Sequence, residues 1–213
     1  MKRFIVFVVV AFCSAGSINC APARIKDETF FHPLIACDVT VDVTGFEIWR
    51  TFCLTENVVL AFGEGDPALG RLFLFDNKKM RTIYESEPDA PPYEWRVHQL
   101  KLDNHIIVLW EIGTEFCSVL KCYDFDVNKK HFTFVGKFDV ALPQHGDPEE
   151  YNSYPVDQIG ILPSDTLVTF RFPHRLLLRP YEEDAQEVDS LIYELNLHTN
   201  VMSRTSWPGD TLR

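Results

Sequence analysis

The feature that most constrains the fold is a repeated pattern of short strands. The segment WRTFCLTENVVLAF at 49–62 matches WRVHQLKLDNHIIVLW at 95–110, and ILPSDTLVTFRF at 161–172 matches the second half of that pattern. Each segment is followed by an aromatic-rich strand and a polar turn, within 71–84, 121–135 and 191–207. Spacings of about 40–50 residues between four-stranded units are typical of proteins built from repeated antiparallel sheets.

Helical periodicity is almost absent from the chain. The clearest segments alternate between apolar and polar residues, or are short β-rich runs bounded by Gly, Pro, Asn or Asp. The predicted strands lie at 36–43, 46–53, 57–62, 71–76, 80–84, 94–101, 105–111, 117–126, 131–139, 156–162, 166–172, 190–196 and 200–206. The sequence therefore predicts an all-β protein with three four-stranded units. A lipocalin-like β-barrel is the alternative, and it is disfavoured because about eight strands suffice for such a barrel.

Two polar turns mark the repeat. In FDNKK and FDVNKK the Asp residues are Asp76 and Asp126, and Asn196 occupies the third position, at offsets of 50 and 70 residues. Asp124 and Asp126 also resemble the start of a calcium loop. However, Lys129 stands where such a loop needs glycine, and no Glu follows at its twelfth position. We therefore expect hairpin turns and no calcium site.

The longer offset is caused by two polar insertions. They are PQHGDPEEYNSYP at 143–155 and RPYEEDAQEVD at 179–189, and both are acidic and contain proline. Loops carried on a rigid sheet scaffold commonly recognise other molecules. We expect these two insertions to face a partner.

The repeated units resemble the blades of β-propellers of the kelch and WD types. They are most similar to the divergent propeller region that follows the F-box in fungal F-box proteins, where a Trp-Lys/Arg-x-Phe strand such as WRTF at 49–52 precedes a buried run. The resemblance covers residues 46–207, and no F-box precedes it. It implies a propeller-like fold and a role in protein binding, with an intracellular adaptor fragment as one form of that role.

The N-terminus predicts secretion. The start MKR is basic, FIVFVVVAF is apolar, and CSAGSINCAPA is rich in small residues, which is the layout of a signal peptide over 1–23. A buried first strand in a cytoplasmic protein is the alternative. We therefore expect a secreted single domain at 24–213. The N-terminal apolar run is too short to span a bilayer, and no second long apolar run follows residue 23.

The chain is acidic, with a formal net charge of −11 that becomes −13 when Lys2 and Arg3 are removed with residues 1–23. Such a charge repels phosphate backbones and no basic stripe reverses it locally, so nucleic acid is excluded as an expected partner. A protein or a small extracellular ligand remains as the predicted partner class.

Cleavage after Ala23 leaves four cysteines, Cys37, Cys53, Cys117 and Cys122, whereas cleavage after Ala15 or Gly16 would leave Cys20 as a fifth. An even number is compatible with two disulfides in an oxidising compartment, and proximity in sequence favours the pairs Cys37–Cys53 and Cys117–Cys122. The alternative is four free cysteines in the core, since free cysteine is commonly buried.

No motif predicts catalysis, a metal or a cofactor. None of the seven histidines has the spacing of a metal-ligand pair. His98 and His105 flank a turn, and their meeting across a hairpin is the best metal hypothesis, although a satisfied surface role is favoured. Serine occurs without a nucleophile motif. A secreted hydrolase that uses paired carboxylates stays an alternative, and it would need an acid held among apolar groups.

One basic patch stands out in the acidic chain. Arg171, Arg175 and Arg179 lie within nine residues of one another around the segment FPHRLLLRPY at 172–181. They could bind a ligand carboxylate or phosphate. Ion pairing with the acidic residues that follow at 182–184 is the favoured interpretation. The sequence as a whole thus predicts a secreted, non-catalytic binding module.

Overall fold

The structure, a computed structural model, describes residues 31–66, 69–88, 94–113, 118–143, 151–153, 155–178 and 186–205. The regular elements in these ranges are β-strands and one 3₁₀ turn, Val156–Gln158. The strands are β1 His32–Pro33, β2 Phe46–Thr55, β3 Val58–Gly65, β4 Leu69–Asp76, β5 Arg81–Glu85, β6 Glu94–Lys101, β7 His105–Gly113, β8 Ser118–Asp126, β9 His131–Phe138, β10 Val140–Pro143, β11 Tyr151–Ser153, β12 Gly160–Pro163, β13 Leu167–Phe172, β14 Leu176–Leu178, β15 Gln186–Val188, β16 Leu191–Asn196 and β17 Val201–Thr205. The prediction of an all-β protein is confirmed.

The strands form four antiparallel sheets. Sheet 1 has the order β2-β3-β4-β5, sheet 2 the order β1-β6-β7-β8-β9, sheet 3 the order β12-β13-β16-β17, and sheet 4 the order β11-β10-β14-β15. Sheets 1 to 3 each contain a meander of four antiparallel strands, which in sheet 3 is interrupted by the excursion of β14 and β15 into sheet 4. Each sheet has two separate edges, so the described residues form no closed barrel and the lipocalin-like alternative is not supported.

Sheets 1, 2 and 3 share the geometry of one turn. The last residue of β4, β8 and β16 is an Asp or Asn whose side chain accepts backbone N–H bonds from the turn: Asp76 from Lys78 and Lys79, Asp126 from Lys129, and Asn196 from His198 and Thr199. The last residue of each turn has positive φ: Met80 51°, Lys130 52° and Asn200 53°. The hairpin interpretation of these turns is therefore confirmed.

A further hydrogen bond repeats at the same place in each sheet. The residue after the capping Asp or Asn donates its N–H to a carbonyl of the preceding hairpin: Asn77 to Asn57, Val127 to Asn104 and Leu197 to Thr166, each at 2.9 Å. Both tight turns of a sheet are thus joined at one end, which we call its turn end. The same turn contact is therefore present in sheets 1, 2 and 3.

The sheets stack face to face through two large cores. The first core lies between sheets 1 and 2, where Phe62 and Trp110 meet edge to face with ring centroids 4.8 Å apart. The second core lies between sheets 2, 3 and 4, and Phe138 contacts Phe170 at 5.2 Å and Tyr193 at 4.9 Å. Alternate residues of the same strand serve different cores, as Ile107 and Val108 of β7 do. Burying a side chain such as Phe or Leu contributes about 1.5–3 kcal/mol, so these cores hold the stack together.

A third core covers the outer face of sheet 1. Val59, Ala61, Phe73 and Phe75 of β3 and β4 are buried there against Val41 and the half-buried side chains around it. The covering segment, 37–48, was predicted in part as a strand at 36–43. That prediction is wrong, because only two isolated bridges form, Ala36 with Phe52 and Val43 with Phe46.

The segment that precedes this cover crosses three sheets. Phe31 stacks on Phe170 of sheet 3, β1 pairs with β6 of sheet 2, and the N–H of Cys37 donates to the carbonyl of Thr51 in sheet 1. We call residues 31–37 the strap. The strap thus contacts the first strands of sheets 1 and 2 and the core of sheet 3. No short-range pattern in the sequence indicated these contacts.

Candidate functional site

The connections other than the two joined turns of each sheet emerge at one end of their sheets. Within sheets 1 to 3 the short turns occupy the turn ends, so the connections near 66–68, 86–93, 114–117, 139–159 and 173–190 leave from the opposite ends, which we call the loop ends. Because neighbouring antiparallel strands alternate in direction, this segregation follows from four-stranded meanders with short first and third turns. Any recognition by loops is therefore concentrated at the loop ends.

Sheet 4 is built at the roots of the two acidic insertions. β10 pairs with both β11 and β14, and β14 pairs with β15, so that strands on each side of the two insertions share one sheet. Leu176, Leu177 and Leu178 of β14 are all buried, and Val140 of β10 joins the second core. The predicted insertions at 143–155 and 179–189 thus include short strands, Tyr151–Ser153 and Gln186–Val188. Their residues 144–150, 154 and 179–185 lie outside the described part of the chain.

The structure divides the predicted arginine patch. Arg171 is half-buried on β13 of sheet 3, opposite Gly160 and Ile192. Arg175 precedes β14 and forms an exposed ion pair with Glu187 of β15. Arg179 lies outside the described residues. Arg175 therefore has an acidic partner, as expected for a structural role, although the partner is not one of the predicted residues 182–184; a ligand role for the patch stays a prediction.

A histidine–carboxylate pair with a half-buried histidine and a buried carboxylate lies near the turn end of sheet 2. Nδ1 of His105, the first residue of β7, is 3.0 Å from both carboxylate oxygens of Asp124 on β8. Asp124 is 1% exposed. Burial raises the pKa of Asp124, and the His105 imidazole acts in the opposite direction without cancelling it.

A second histidine–carboxylate pair lies toward the loop end of the same sheet. Nε2 of His98 on β6 is 3.6 Å from Oε2 of Glu111 on β7, and Glu111 is buried. His98 pairs in register with Leu109, four residues from His105, which is about 13 Å along a strand. The hypothesis that His98 and His105 meet across the hairpin is wrong, because each faces its own carboxylate. In the described ranges no three His, Cys, Asp or Glu side chains form a metal site.

The remaining buried carboxylate is satisfied by lysine. Asp76 of β4 accepts a hydrogen bond from the ammonium group of Lys130, and Asp126 pairs with Lys129 within its own turn. The two Asp side chains that resemble the start of a calcium loop have partners within the protein. Asp124 contacts His105, and Asp126 pairs with Lys129.

The cysteine prediction is confirmed for one pair. Cys37 of the strap and Cys53 of β2 form a disulfide, with Cα atoms 5.8 Å apart. Cys122 of β8 is buried in the second core as a free thiol, and Cys117 lies outside the described residues. The structure therefore gives no support to a Cys117–Cys122 pair. Burial raises the pKa of the Cys122 thiol, and the charge of Asp124 adds to this.

Sequence reasoning missed the pair of His105 and Asp124, although the repeat contains a signal for it. Alignment of Asp126 with Asp76 places Asp124 where sheet 1 has Leu74. The same alignment places His105 where sheet 1 has Val58. The signal in the sequence is therefore a pair of polar residues in sheet 2 at two positions that are apolar in sheet 1.

Comparison of the chain with protein-family models, with curated proteins and with solved structures gave no match. Among the described residues no helix is long and apolar enough to cross a membrane. In the described residues, sheets 1, 2 and 3 each have two joined turns at one end, and the two acidic insertions leave from loop ends.

Proposed function

We propose that this protein is a secreted, non-catalytic binding module whose sheets 1 to 3 are blades of propeller type and whose loop ends engage an extracellular partner. The observation that carries the proposal is sheet 4. Two insertions that are far apart in sequence are joined at their roots by β10, β11, β14 and β15, which gives the acidic connections a common, anchored base. Anchored bases reduce the conformational entropy lost when loops bind.

Charge indicates the kind of surface that would bind there. The insertions at 143–155 and 179–189 contain eight acidic residues and one arginine. A partner with basic groups is favoured over an acidic one, because complementary potentials speed association and exclude wrong partners. A protein or a small extracellular ligand of that charge fits the proposal.

The disulfide supports the proposed compartment. Disulfides persist in oxidising, extracellular environments and are rare in the cytosol, and Cys37–Cys53 is such a bond. Intact-mass measurement of protein secreted into the medium tests this point. We expect a mass that lacks residues 1–23 and rises by two hydrogens on reduction. A cytosolic, reduced product that retains Met1 would instead favour the intracellular adaptor.

The buried acids do not favour the hydrolase alternative. In register, Glu111 lies opposite Leu120 and Asp124 opposite Ile107. The two acids are therefore separated by about 13 Å along the sheet, whereas paired glycosidase carboxylates lie about 5–9.5 Å apart. Each acid faces a histidine of its own rather than the other acid.

Site-specific photo-crosslinking tests the binding surface. A benzoylphenylalanine at Gln186, exposed in β15 at the loop end, is compared with one at Lys78, exposed in a turn at the turn end. Secreted protein is incubated with extracellular material from the source cells and irradiated. We expect a discrete adduct from position 186 that excess unlabelled protein removes, and none from position 78. Equal adducts from both positions, or none from either, would overturn the proposal.

A further inference from the structure

The strap rests on the first-strand edges of two sheets as a short peptide would. His32 and Pro33 pair in antiparallel register with β6, and the N–H of Leu34 donates to the carbonyl of Val97 at 2.7 Å. Further along, Cys37 donates to Thr51 of β2 at 2.9 Å. An extended segment that borrows the backbone groups of a sheet edge is the geometry by which peptides add to sheets.

Two side chains of the strap act as anchors, and they are three residues apart. Phe31 is buried in the second core and stacks on Phe170, with ring centroids 6.1 Å apart and planes at 9°. Leu34 is buried in the first core. The residues between them, His32 and Pro33, are exposed. The contacts thus select an aromatic residue, two positions open to solvent, and then an aliphatic residue.

Past Leu34 the strap is held at Cys37, by the disulfide and by two hydrogen bonds with Thr51: the N–H of Cys37 donates to the Thr51 carbonyl, and the Thr51 hydroxyl donates to the Cys37 carbonyl. Ile35 is 82% exposed, and Ala36 contacts β2 only by an isolated bridge with Phe52. Cys53 lies on the exposed side of β2. A disulfide in that position is accessible to a thiol reagent and fixes the strap to sheet 1.

We propose that the edges of β6 and β2, with the sockets filled by Phe31 and Leu34, form a binding site for an extended peptide with an aromatic residue followed three positions later by an aliphatic one. In the oxidised protein the strap occupies this site. Reduction by an extracellular dithiol opens it: the dithiol passes two electrons and two protons to the disulfide and becomes a disulfide itself, while Cys37 and Cys53 become thiols. The site is separate from the loop ends.

After reduction the strap should compete less strongly with a free peptide for this site, and the reason is physical. The disulfide and the chain that packs on sheet 1 both hold the strap at its Cys37 end, and a segment tethered beside its binding site is present at a high effective concentration and excludes a free peptide. Loss of the disulfide leaves the strap attached only through the chain that continues over sheet 1. An incoming peptide then competes with a strap that can leave its seat.

Peptide binding in solution tests the proposal. The probe is a fluorescein-labelled synthetic peptide of residues 31–38 with serine in place of Cys37, and the target is the full chain carrying Cys37→Ser and Leu34→Ala. We expect saturable binding at least about tenfold tighter than to the oxidised wild type. The control peptide has alanine at both anchor positions, and we expect it not to bind. Equal affinity for the two proteins, or for the two peptides, would overturn the proposal.

If the variant does not fold, hydrogen exchange on the wild-type protein tests whether reduction releases the strap. On addition of a dithiol, the amides of Leu34 and Cys37 should exchange at least about tenfold faster, while that of Leu60 in β3 stays protected. Unchanged protection of the strap amides after complete reduction would show that the disulfide does not control the strap, and it would refute the proposed opening.

Discussion

The ammonium group of Lys130 lies 3.1 Å from Oδ2 of Asp76, so the last residue of the turn in sheet 2 reaches the capping residue of the turn in sheet 1. Burial acts to raise the pKa of Asp76, but the Lys130 ammonium group and the N–H of Lys79 outweigh it and hold this pKa below its usual range. The contact ties two sheets at their turn ends. At the equivalent position sheet 3 has Asn200, which cannot supply a cation.

Replacement of Lys130 with methionine is expected to lower stability at neutral pH and to lower it less near pH 3, below the unfolded pKa of Asp76. A carboxyl group with a folded pKa below its unfolded pKa adds stability above the unfolded value, and this stability is lost as the pH falls through the folded value. Urea unfolding of wild type and variant at about pH 7 and about pH 3 measures the difference. Lys78→Met, in the turn that Asp76 caps, is the matched control. An equal loss at both pH values would contradict the assignment.

The carboxyls of Asp124 and Asp126 should titrate in a defined order, although both lie on β8. Burial raises the pKa of Asp124, whereas the side-chain hydrogen bond from Lys129 lowers that of Asp126. Carbon-13 NMR of the carboxyl groups should therefore give the higher midpoint for Asp124. His105→Phe removes the group that opposes the burial effect, so that midpoint should rise further. An Asp124 midpoint at or below that of Asp126 would contradict the effect assigned to the burial of Asp124.

The raised pKa of Asp124 also predicts the direction in which its contribution to stability changes with pH. Because the pKa of Asp124 is raised on folding, its contribution is present below the unfolded pKa and is lost as the pH rises through the folded pKa. Asp124→Asn should flatten this part of the stability profile. Denaturation of both proteins across the acidic range, with Asp126→Asn as the control on the same strand, measures the slope. A profile that Asp124→Asn leaves unchanged would be inconsistent with the shift.

Loss of the Cys37–Cys53 disulfide is expected to destabilise the protein by about 3 kcal/mol, the value for a loop of this length. The bond closes a sequence separation of 16 residues. Urea unfolding of the Cys37→Ser/Cys53→Ser variant measures the loss, and reduced wild type should match the variant. Indistinguishable stabilities of oxidised wild type and variant would argue against a constraining role for this bond.

Met80→Gly should raise stability by about 0.5–1 kcal/mol, because a non-glycine residue in the left-handed region is strained. Met80 has a φ of 51° and is 68% exposed, so little buried surface is lost. Asn200→Gly is the control at the equivalent turn, since Asn tolerates this conformation, and it should gain less. Thermal unfolding of both variants gives the comparison. A larger gain at Asn200 than at Met80 would run against this explanation.

Cys122 should resist alkylation in the native protein. Its thiol is buried and its pKa is raised, so little thiolate is present at neutral pH. Peptide mapping after iodoacetamide treatment should show label at Cys122 only when the chain is unfolded first. An unfolded, non-reduced sample that still resists labelling would instead support the predicted bond to Cys117.

The sequence allowed the strand pattern and the turns to be predicted because both depend on neighbours in the chain. Asp76, Asp126 and Asn196 cap their turns through bonds to residues two or three positions away, and such local bonds leave a readable signature. β10, β11, β14 and β15 were missed since each has only three or four residues, too few to show alternation. The pair of His105 and Asp124 and the strap depend on register and on contacts far apart in sequence, which periodicity does not encode.

The strap also affects the order in which parts of the protein fold. Phe31 precedes its stacking partner Phe170 by 139 positions, so during synthesis it leaves the ribosome long before sheet 3 exists. The hairpins of sheets 1 and 2 need only neighbouring strands and can form as they emerge, whereas contacts of such sequence separation form slowly. Phe31, the first described residue, is therefore among the last to reach its final contacts, because its stacking partner is synthesised near the end of the chain.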